Sequence, residues 1–567
     1  MESRPKLNLE NAQQLRPSRK APGADAPGGR VALLYFESQT LCSNRFRAGV
    51  SGHLGGPVIA IVFIKLRLRH APRFPSRYGI LKKRSLWLSA AGALAVAVAL
   101  AGCGTTTYFA GRTLPPSGLT NRVMIAIQNP SAFSAGVMEF VDAYYDIRFS
   151  YNQKTPSFSI SGYAGKLPYS IQNMPEEQVG AVYSVGDGNL ALINYAKESS
   201  TGAVTGLNGL SSSVFITRNE GFTFAASQTS AVLTVVNRAA GSTYPLNLPG
   251  VYRVSVNPGG SVALAFVQNS NYIYYPVRLT ATQTLAYSHG AASWPKAAVD
   301  CEPQNGPGWC LFQAQSPDNA DPRDPTGVLY PKYGAPLVFD RPIKAVFSAD
   351  GGTAYVLNCG PECGGSKASI SLLPVAPMIF NTGQSSGTLP VTGTVKTIPI
   401  PGGSTNALVD GTTMYVVGQQ LQPDGLFSGN LSLVNLQSNT VSSTASISDG
   451  APGAVSRILL ADDNTLWIGM TKCTNGERYA KGLEYGCLTM YDTSTNSVTL
   501  LEPYLGDLTG IAAVTGLHKI YVAQGGQVYI YNTRDGSSIN NQYVTVTGTA
   551  YDVAYMDGTT DDNNTVY

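Results

Sequence analysis

The sequence predicts an all-β protein organised as a single β-propeller, and three observations predict it. Short apolar runs are separated by Gly, Asn, Asp and Pro, the pattern of strands and turns rather than of helices. Groups of about four such runs recur at a spacing of roughly 40–60 residues, the period of propeller blades. The 567 residues include 60 Gly and 31 Tyr, and only 13% are charged, about half the usual share for a globular chain. With 43% apolar residues, intrinsic disorder is excluded, and so is a polytopic membrane protein.

Charge divides the chain before any repeat begins. Residues 1–102 carry 16 Lys and Arg against 4 Asp and Glu, while the remainder carries 23 against 31. The basic excess belongs to the leader, and the mildly acidic body argues against nucleic-acid binding, which needs a basic face.

Within the leader, Lys82, Lys83 and Arg84 precede the apolar stretch Leu86–Leu100, which ends in Leu100-Ala101-Gly102-Cys103. Fifteen apolar residues are short for a permanent membrane helix and normal for a secretory signal. The tetrapeptide resembles the bacterial lipobox at every position. The resemblance implies a lipoprotein signal peptide over 82–102, cleavage before Cys103, and a thioether-linked diacylglycerol on the Cys103 thiol. More than one acyl chain makes such an anchor stable. Residues 1–81, rich in Arg and Pro and without sustained periodicity, then read as an upstream extension from a misplaced start, with Leu81 the tidiest internal alternative. Residues 103–119 read as a lipidated tether.

Eight Cys occur. Cys42 lies in the doubtful extension and Cys103 is assigned to the lipid. The remaining six form three neighbouring pairs, Cys301 with Cys310, Cys359 with Cys363, and Cys473 with Cys487. An even set behind an export signal reads as disulfides, of which nearest-neighbour pairing is the most economical. Zinc is the weaker reading, because no His stands near Cys359-Gly-Pro-Glu-Cys363 to complete a site.

The propeller is expected over 120–567. Its sharpest unit runs from Ala345 to Asn358 and joins two strands through Ser348-Ala349-Asp350-Gly351. Weaker copies run from Val254, Ala407, Ile458 and Ile511, and third strands follow at Leu233–Asn237 and Val528–Asn532. First strands are expected to begin near residues 168, 212, 251, 343, 405, 454, 508 and 549. That count makes eight four-stranded blades, with seven the alternative. The last first-strand, near Ala550–Tyr555, has little chain behind it, so strands near Arg122–Ile127 and Val137–Val141 are expected to complete its blade and close the ring. Residues 285–342 form a long insertion holding the first Cys pair.

Ser348-Ala349-Asp350-Gly351 followed by Tyr355-Val356-Leu357-Asn358 resembles the repeat of bacterial YVTN-type and lactonase-like propellers. The likeness extends over most of residues 120–557 and is sharp in one or two copies. It implies the fold and, as one functional possibility, hydrolysis of sugar lactones by carboxylates and a metal in the central channel. No residues here match those positions.

Chemistry-bearing motifs are few. Only His289 and His518 follow Cys103, and no nucleophile elbow, zinc-binding His-Glu-x-x-His, Walker loop or dinucleotide fingerprint occurs there. His289 lies beside the insertion and His518 in a turn. Asp318, Asp321 and Asp324, and more weakly Asp557, Asp561 and Asp562, are calcium candidates without the spacing of a calcium loop. Tyr272-Ile273-Tyr274-Tyr275 and Tyr144-Tyr145 could stack on sugars or peptides, although alternating aromatics in blades usually pack between sheets. The expectation is therefore a non-catalytic binding or assembly module, lipid-anchored in the cell envelope and facing the periplasm or cell surface. Its expected partner is an envelope protein or glycan. A lactonase-like hydrolase and a carbohydrate-binding propeller are the alternatives, and no cofactor beyond a weak calcium possibility is implied.

Overall fold

The computed structural model describes residues 111–131, 133–148, 158–288, 298–302, 306–315, 336–380, 395–423, 425, 427–448, 454–473, 485–501, 505–539 and 543–560. Cys42, Cys103, His289, Asp318, Asp321, Asp324, Asp561 and Asp562 lie outside them.

The described residues form eight antiparallel sheets. The first strands of the eight blades are Pro168–Met174, Ser213–Ile216, Val251–Val256, Pro342–Phe347, Asn406–Asp410, Ala454–Ala461, Leu508–Val514 and Thr549–Tyr555, here numbered blades 1 to 8. Six sheets have four strands, blade 3 has five and blade 7 has three. The eight-blade count is the architecture observed.

Ring closure follows the expected route. Thr549–Tyr555 is the inner strand of blade 8, and Arg122–Gln128, Val137–Asp142 and Phe158–Ser159 supply its other strands. The pairing runs from Val123 opposite Tyr555 to Gln128 opposite Thr549. Both ends of the ring therefore share one ladder, and neither leaves a bare sheet edge.

There is no single core. Eight apolar clusters each lie between two neighbouring blades: Met174, Tyr183 and Leu190 of blade 1 meet Ile216 and Val236 of blade 2, for example, and Met124 and Phe140 of blade 8 meet Ile171 and Val182 of blade 1. A blade buries its faces only against its neighbours, which is why the apolar runs repeat. Middle strands such as Phe222–Ser227 are buried along their whole length, while the outermost Ser199–Val204 is largely exposed.

The motif turn shows why its residues recur. Ser348 Oγ accepts the Thr353 amide at 3.0 Å, and Asp350 Oδ1 accepts the Gly352 amide at 2.9 Å. Gly351 takes φ +68°, a left-handed conformation that glycine enters without strain. Blade 2 builds the same turn from other residues: Thr217 Oγ1 accepts the Phe222 amide, Asn219 accepts the Gly221 amide, and Glu220 takes φ +52°.

Two disulfides match the expected pairing, Cys301–Cys310 and Cys359–Cys363. Within the segment 285–342, Ala298–Glu302 and Gly308–Gln313 are strands of blade 3, and Cys301 stands directly opposite Cys310 in their ladder. This bridge therefore crosses adjacent strands instead of closing a loop. Cys359–Cys363 closes a single 3-10 turn, Gly360–Cys363, between the second and third strands of blade 4. Cys487 is also disulfide-bonded, and the Cys473 side chain lies outside the described residues.

Part of the expected tether is docked on the ring. Arg112 is buried and donates to the Pro175 carbonyl, and Ser117 donates its amide to Glu198 at 2.9 Å.

Candidate functional site

Six of the eight inner strands carry the same irregularity near their start, and blades 2 and 5 have a matching hydrogen bond just before theirs. In each of the six, two consecutive residues stand opposite one residue of the second strand, a β-bulge that re-aims the side chains beside it. In blades 2 and 5 the corresponding residues, Ser212 and Thr405, directly precede the strand and donate their amides to the Ala226 and Val417 carbonyls, opposite which Ser213 and Asn406 stand. The residues at this place around the ring are Tyr169, Ser212, Tyr252, Ile343, Thr405, Ser456, Thr509 and Tyr551. The residues that follow them are Ser170, Ser213, Arg253, Lys344, Asn406, Arg457, Gly510 and Asp552.

This second ring is unevenly charged. Three cations, Arg253, Lys344 and Arg457, stand on blades 3, 4 and 6, against one carboxylate, Asp552, on blade 8. Lys344 is 1% exposed, and its Nζ donates to Asn406 Oδ1 at 2.8 Å. Burial, and then repulsion by the Arg253 and Arg457 guanidiniums, pushes the Lys344 amine well below its ordinary range. Asp552 is fully buried; it accepts the Ile171 amide of blade 1 at 2.8 Å and stands 3.9 Å from Arg457. Gly510 lies between the two by blade order. A Cβ there would come within 2.6 Å of Asp552 Oδ1 and 2.8 Å of its Cα, so only glycine leaves the carboxylate its place.

Over this cluster, on the face where inner strands begin, lies a cavity of about 360 Å³ shared by blades 3 to 6. Blade 3 contributes Tyr252, Arg253 and the turn Gln268–Ser270; blade 4 contributes Arg341–Ile343 with Glu362 and Cys363; blades 5 and 6 contribute Thr405, Ala454 and Val455. Arg253 sits over the Tyr252 ring, 5.7 Å from its centroid, and the Tyr252 hydroxyl donates to the Ile343 carbonyl of the next blade. A plate tied to the neighbouring strand thus holds the guanidinium in place. Arg341 donates to the Asn269 carbonyl and pins the blade 3 turn at the rim.

Glu362 is delivered by the Cys359–Cys363 turn. It accepts the Gln419 amide at 2.8 Å and Gln419 Nε2 at 3.1 Å, a link from blade 4 to blade 5. Burial pushes its carboxyl up to about 7 despite those two donors.

The residues singled out in the sequence fall elsewhere. His518 lies in the turn between the first two strands of blade 7, on the opposite face; its Nδ1 is 2.7 Å from Asp463 and its Nε2 is 2.9 Å from Arg534. Asp557 is buried against Arg122, which it meets through both carboxylate oxygens. Among the described residues no three His, Cys, Asp or Glu side chains are grouped to hold a metal ion. Tyr275 packs inside blade 3 against Phe312, whereas Tyr144 and Tyr145 are exposed and stack edge to face at 4.8 Å, away from the cavity. Three of the residues at this place in the inner strands are tyrosines: Tyr252 lines the cavity, while Tyr169 and Tyr551 of blades 1 and 8 pack on each other at 4.9 Å. A signal for them is present in the sequence: Pro168-Tyr169-Ser170, Val251-Tyr252-Arg253 and Ala550-Tyr551-Asp552 repeat a Tyr before a polar residue at the start of an inner strand.

No family model matches the chain, and no curated protein matches it in sequence. Similar solved structures include the periplasmic gluconolactonase PpgL of Pseudomonas aeruginosa, at 13% identity over 77% of this chain and 98% of that one, with a TM-score of 0.34. Apo AztD from Citrobacter koseri shares 12% identity over 77% of this chain and 97% of that one, TM-score 0.42. A putative 6-phosphogluconolactonase from Bacteroides fragilis shares 10% over 78% and 99%, TM-score 0.36. At these values the propeller assignment rests on the strand pairing of this chain. The chain is an eight-bladed β-propeller.

Proposed function

We propose that this propeller is a non-catalytic binding module of the cell envelope, held at the membrane by a lipid on Cys103, with the channel mouth of blades 3 to 6 as its binding site. An envelope protein or glycan is the partner class. The observation that carries the reading is the mouth itself: a cavity rimmed by turns and by the strand starts of four blades, with Arg253 in its wall and the buried Lys344 and Arg457 at the matching positions of blades 4 and 6. The lipobox and the disulfides support an exported location.

The donor set at the channel does not suit a lactonase-type metal. Asp552 is engaged by the Ile171 amide and faces Arg457, and the neighbouring positions offer two guanidiniums and a lysine in place of the oxygen ligands a hard divalent cation needs. Glu362, the carboxyl at the rim, spends its acceptors on Gln419.

Two measurements test the proposal. Metabolic labelling with a palmitate analogue should tag the protein, and Cys103→Ala should abolish tagging; labelling that survives overturns the anchor. A photo-crosslinking residue in place of Gln268 at the rim should capture a discrete envelope component in intact cells. The same residue at Arg218, on the exposed rim of blade 2, should not. Equal capture at both positions would remove the mouth as the binding site.

A further inference from the structure

The charges of the channel mouth say more than that something binds there. Arg253 is half-buried, lies over Tyr252, lines the cavity, and its guanidinium donors have no acceptor among the described residues. The edge of a guanidinium matches the two oxygens of a carboxylate or phosphate. Lys344 and Arg457 stand at the equivalent positions of blades 4 and 6, both at least nine-tenths buried. One carboxylate of the second ring, Asp552, faces Arg457 across 3.9 Å. Two guanidiniums and a lysine are held near one another in a poorly solvated place, and burial first, then the Arg253 and Arg457 charges, push the Lys344 amine well below its ordinary range. A fold keeps such a cluster at a cost, and a bound anion offsets it.

We infer that the mouth takes an anionic group of its ligand, a carboxylate or a phosphate, with Arg253 gripping the two oxygens and Lys344 and Arg457 supplying the positive field behind it. This rests on the mouth being the binding site. The chemistry is oxyanion recognition by a fixed guanidinium, and no covalent step is involved. Glu362 at the rim is held by Gln419, and its elevated carboxyl adds little negative charge below neutral pH. The preference for a planar two-oxygen group comes from Arg253, because Tyr252 fixes the guanidinium plane; the preference for negative charge comes from the cluster.

The test uses the full chain in detergent, with inorganic phosphate and succinate as probes, each compared with sodium chloride at equal ionic strength. Thermal unfolding should show a saturable stabilisation by one or both probes beyond the chloride control. Phosphate alone assigns a phosphoryl ligand, succinate alone a carboxylate, and both a shared oxyanion site. Arg253→Gln should weaken the apparent affinity about ten-fold or more, equivalent to 1.4 kcal/mol. Arg253→Lys, which keeps the charge without the fork, should weaken it less. Arg218→Gln should leave it unchanged. Should Arg253→Gln not fold, Lys344→Met carries the same comparison. No saturable effect of either anion on the unmodified chain, or an undiminished one in Arg253→Gln, overturns the inference. Rim crosslinks that persist when both anions fail would retain the binding module and refute its anionic ligand. Anion binding without crosslinks would retain this inference and refute the envelope partner.

Discussion

Asp557→Asn tests how the ring is locked. Arg122 and Asp557 are 435 residues apart in sequence and both are fully buried. The carboxylate accepts the Arg122 backbone amide at 2.8 Å, Nε at 2.9 Å and an outer guanidinium nitrogen at 2.6 Å. The remaining guanidinium nitrogen donates to the Tyr195 carbonyl at 2.8 Å and to Glu198 at 2.9 Å, which carries the lock from blade 8 into blade 1. Replacing the carboxylate with an amide leaves a buried guanidinium with Glu198 as its charged partner and turns one acceptor oxygen into a donor. Breaking one side of a buried pair costs about 3–5 kcal/mol. Unfolding entropy of about 2.1 cal/mol/K per residue, over a ring of roughly 450 residues, makes this a fall in Tm of only about 3–5 °C. Denaturant midpoint is therefore the better assay, supplemented by hydrogen exchange of the Arg122–Gln128 amides, which should accelerate. Arg218→Ala is the control. Its partner Glu176 stands 3.3 Å away with both side chains about 40% exposed, and the loss should stay within about 0.5 kcal/mol. A change in Asp557→Asn no larger than in that control would refute the lock.

Three further outcomes are expected. The Glu362 carboxyl titrates near 7 in the folded ring, against an ordinary value of 4.5, so the folded state holds an extra proton between those values. Stability should then be highest at the acid end, fall by up to about 3 kcal/mol as pH rises from 4.5 to 7, and level off above; Glu362→Gln should flatten that profile, and an unchanged slope in the variant would exclude Glu362 as its source. Gly510→Ala places a Cβ 2.8 Å from the Asp552 Cα and the Val553 amide, neither of which can move freely, and should cost about 1–3 kcal/mol in denaturant unfolding. Deleting residues 545–567 removes the inner strand of blade 8 and exposes the Arg122–Gln128 edge, so soluble yield and Tm should both drop; an unchanged Tm would mean the ring is not held closed by that ladder.

Much of the architecture was legible because it is written in short-range chemistry. Alternation and turn residues are local, so the starts expected near 168, 212, 251, 343, 405, 454, 508 and 549 fall within a residue of the observed inner strands. Asp350-Gly351 announces its turn because the side chain and the positive φ act within four residues. Ring closure was legible by elimination, since a lone terminal strand needs partners. Two of the neighbouring Cys pairs, Cys301–Cys310 and Cys359–Cys363, were legible for the same local reason, although the first joins adjacent strands of one sheet where spacing suggested an insertion.

The site is another matter. Arg253, Lys344, Arg457 and Asp552 each look like an ordinary polar residue near the start of a strand, and they lie as far as 299 positions apart. What gathers them is the closing of eight sheets around one axis, together with a bulge at the same place in each of the four inner strands that carry them, and no local pattern encodes either the proximity or the loss of water that makes their charges matter. Arg122 and Asp557 show the same division, one reading as a strand edge and the other as part of an acidic tail until the ring brings them into contact. Sequence by itself determined most of the strands, the turns and a repeat count of eight with seven left open, because these depend on neighbours along the chain. Only the tertiary structure decided which charges meet, because electrostatic energy depends on distance and burial, and both are properties of the closed ring.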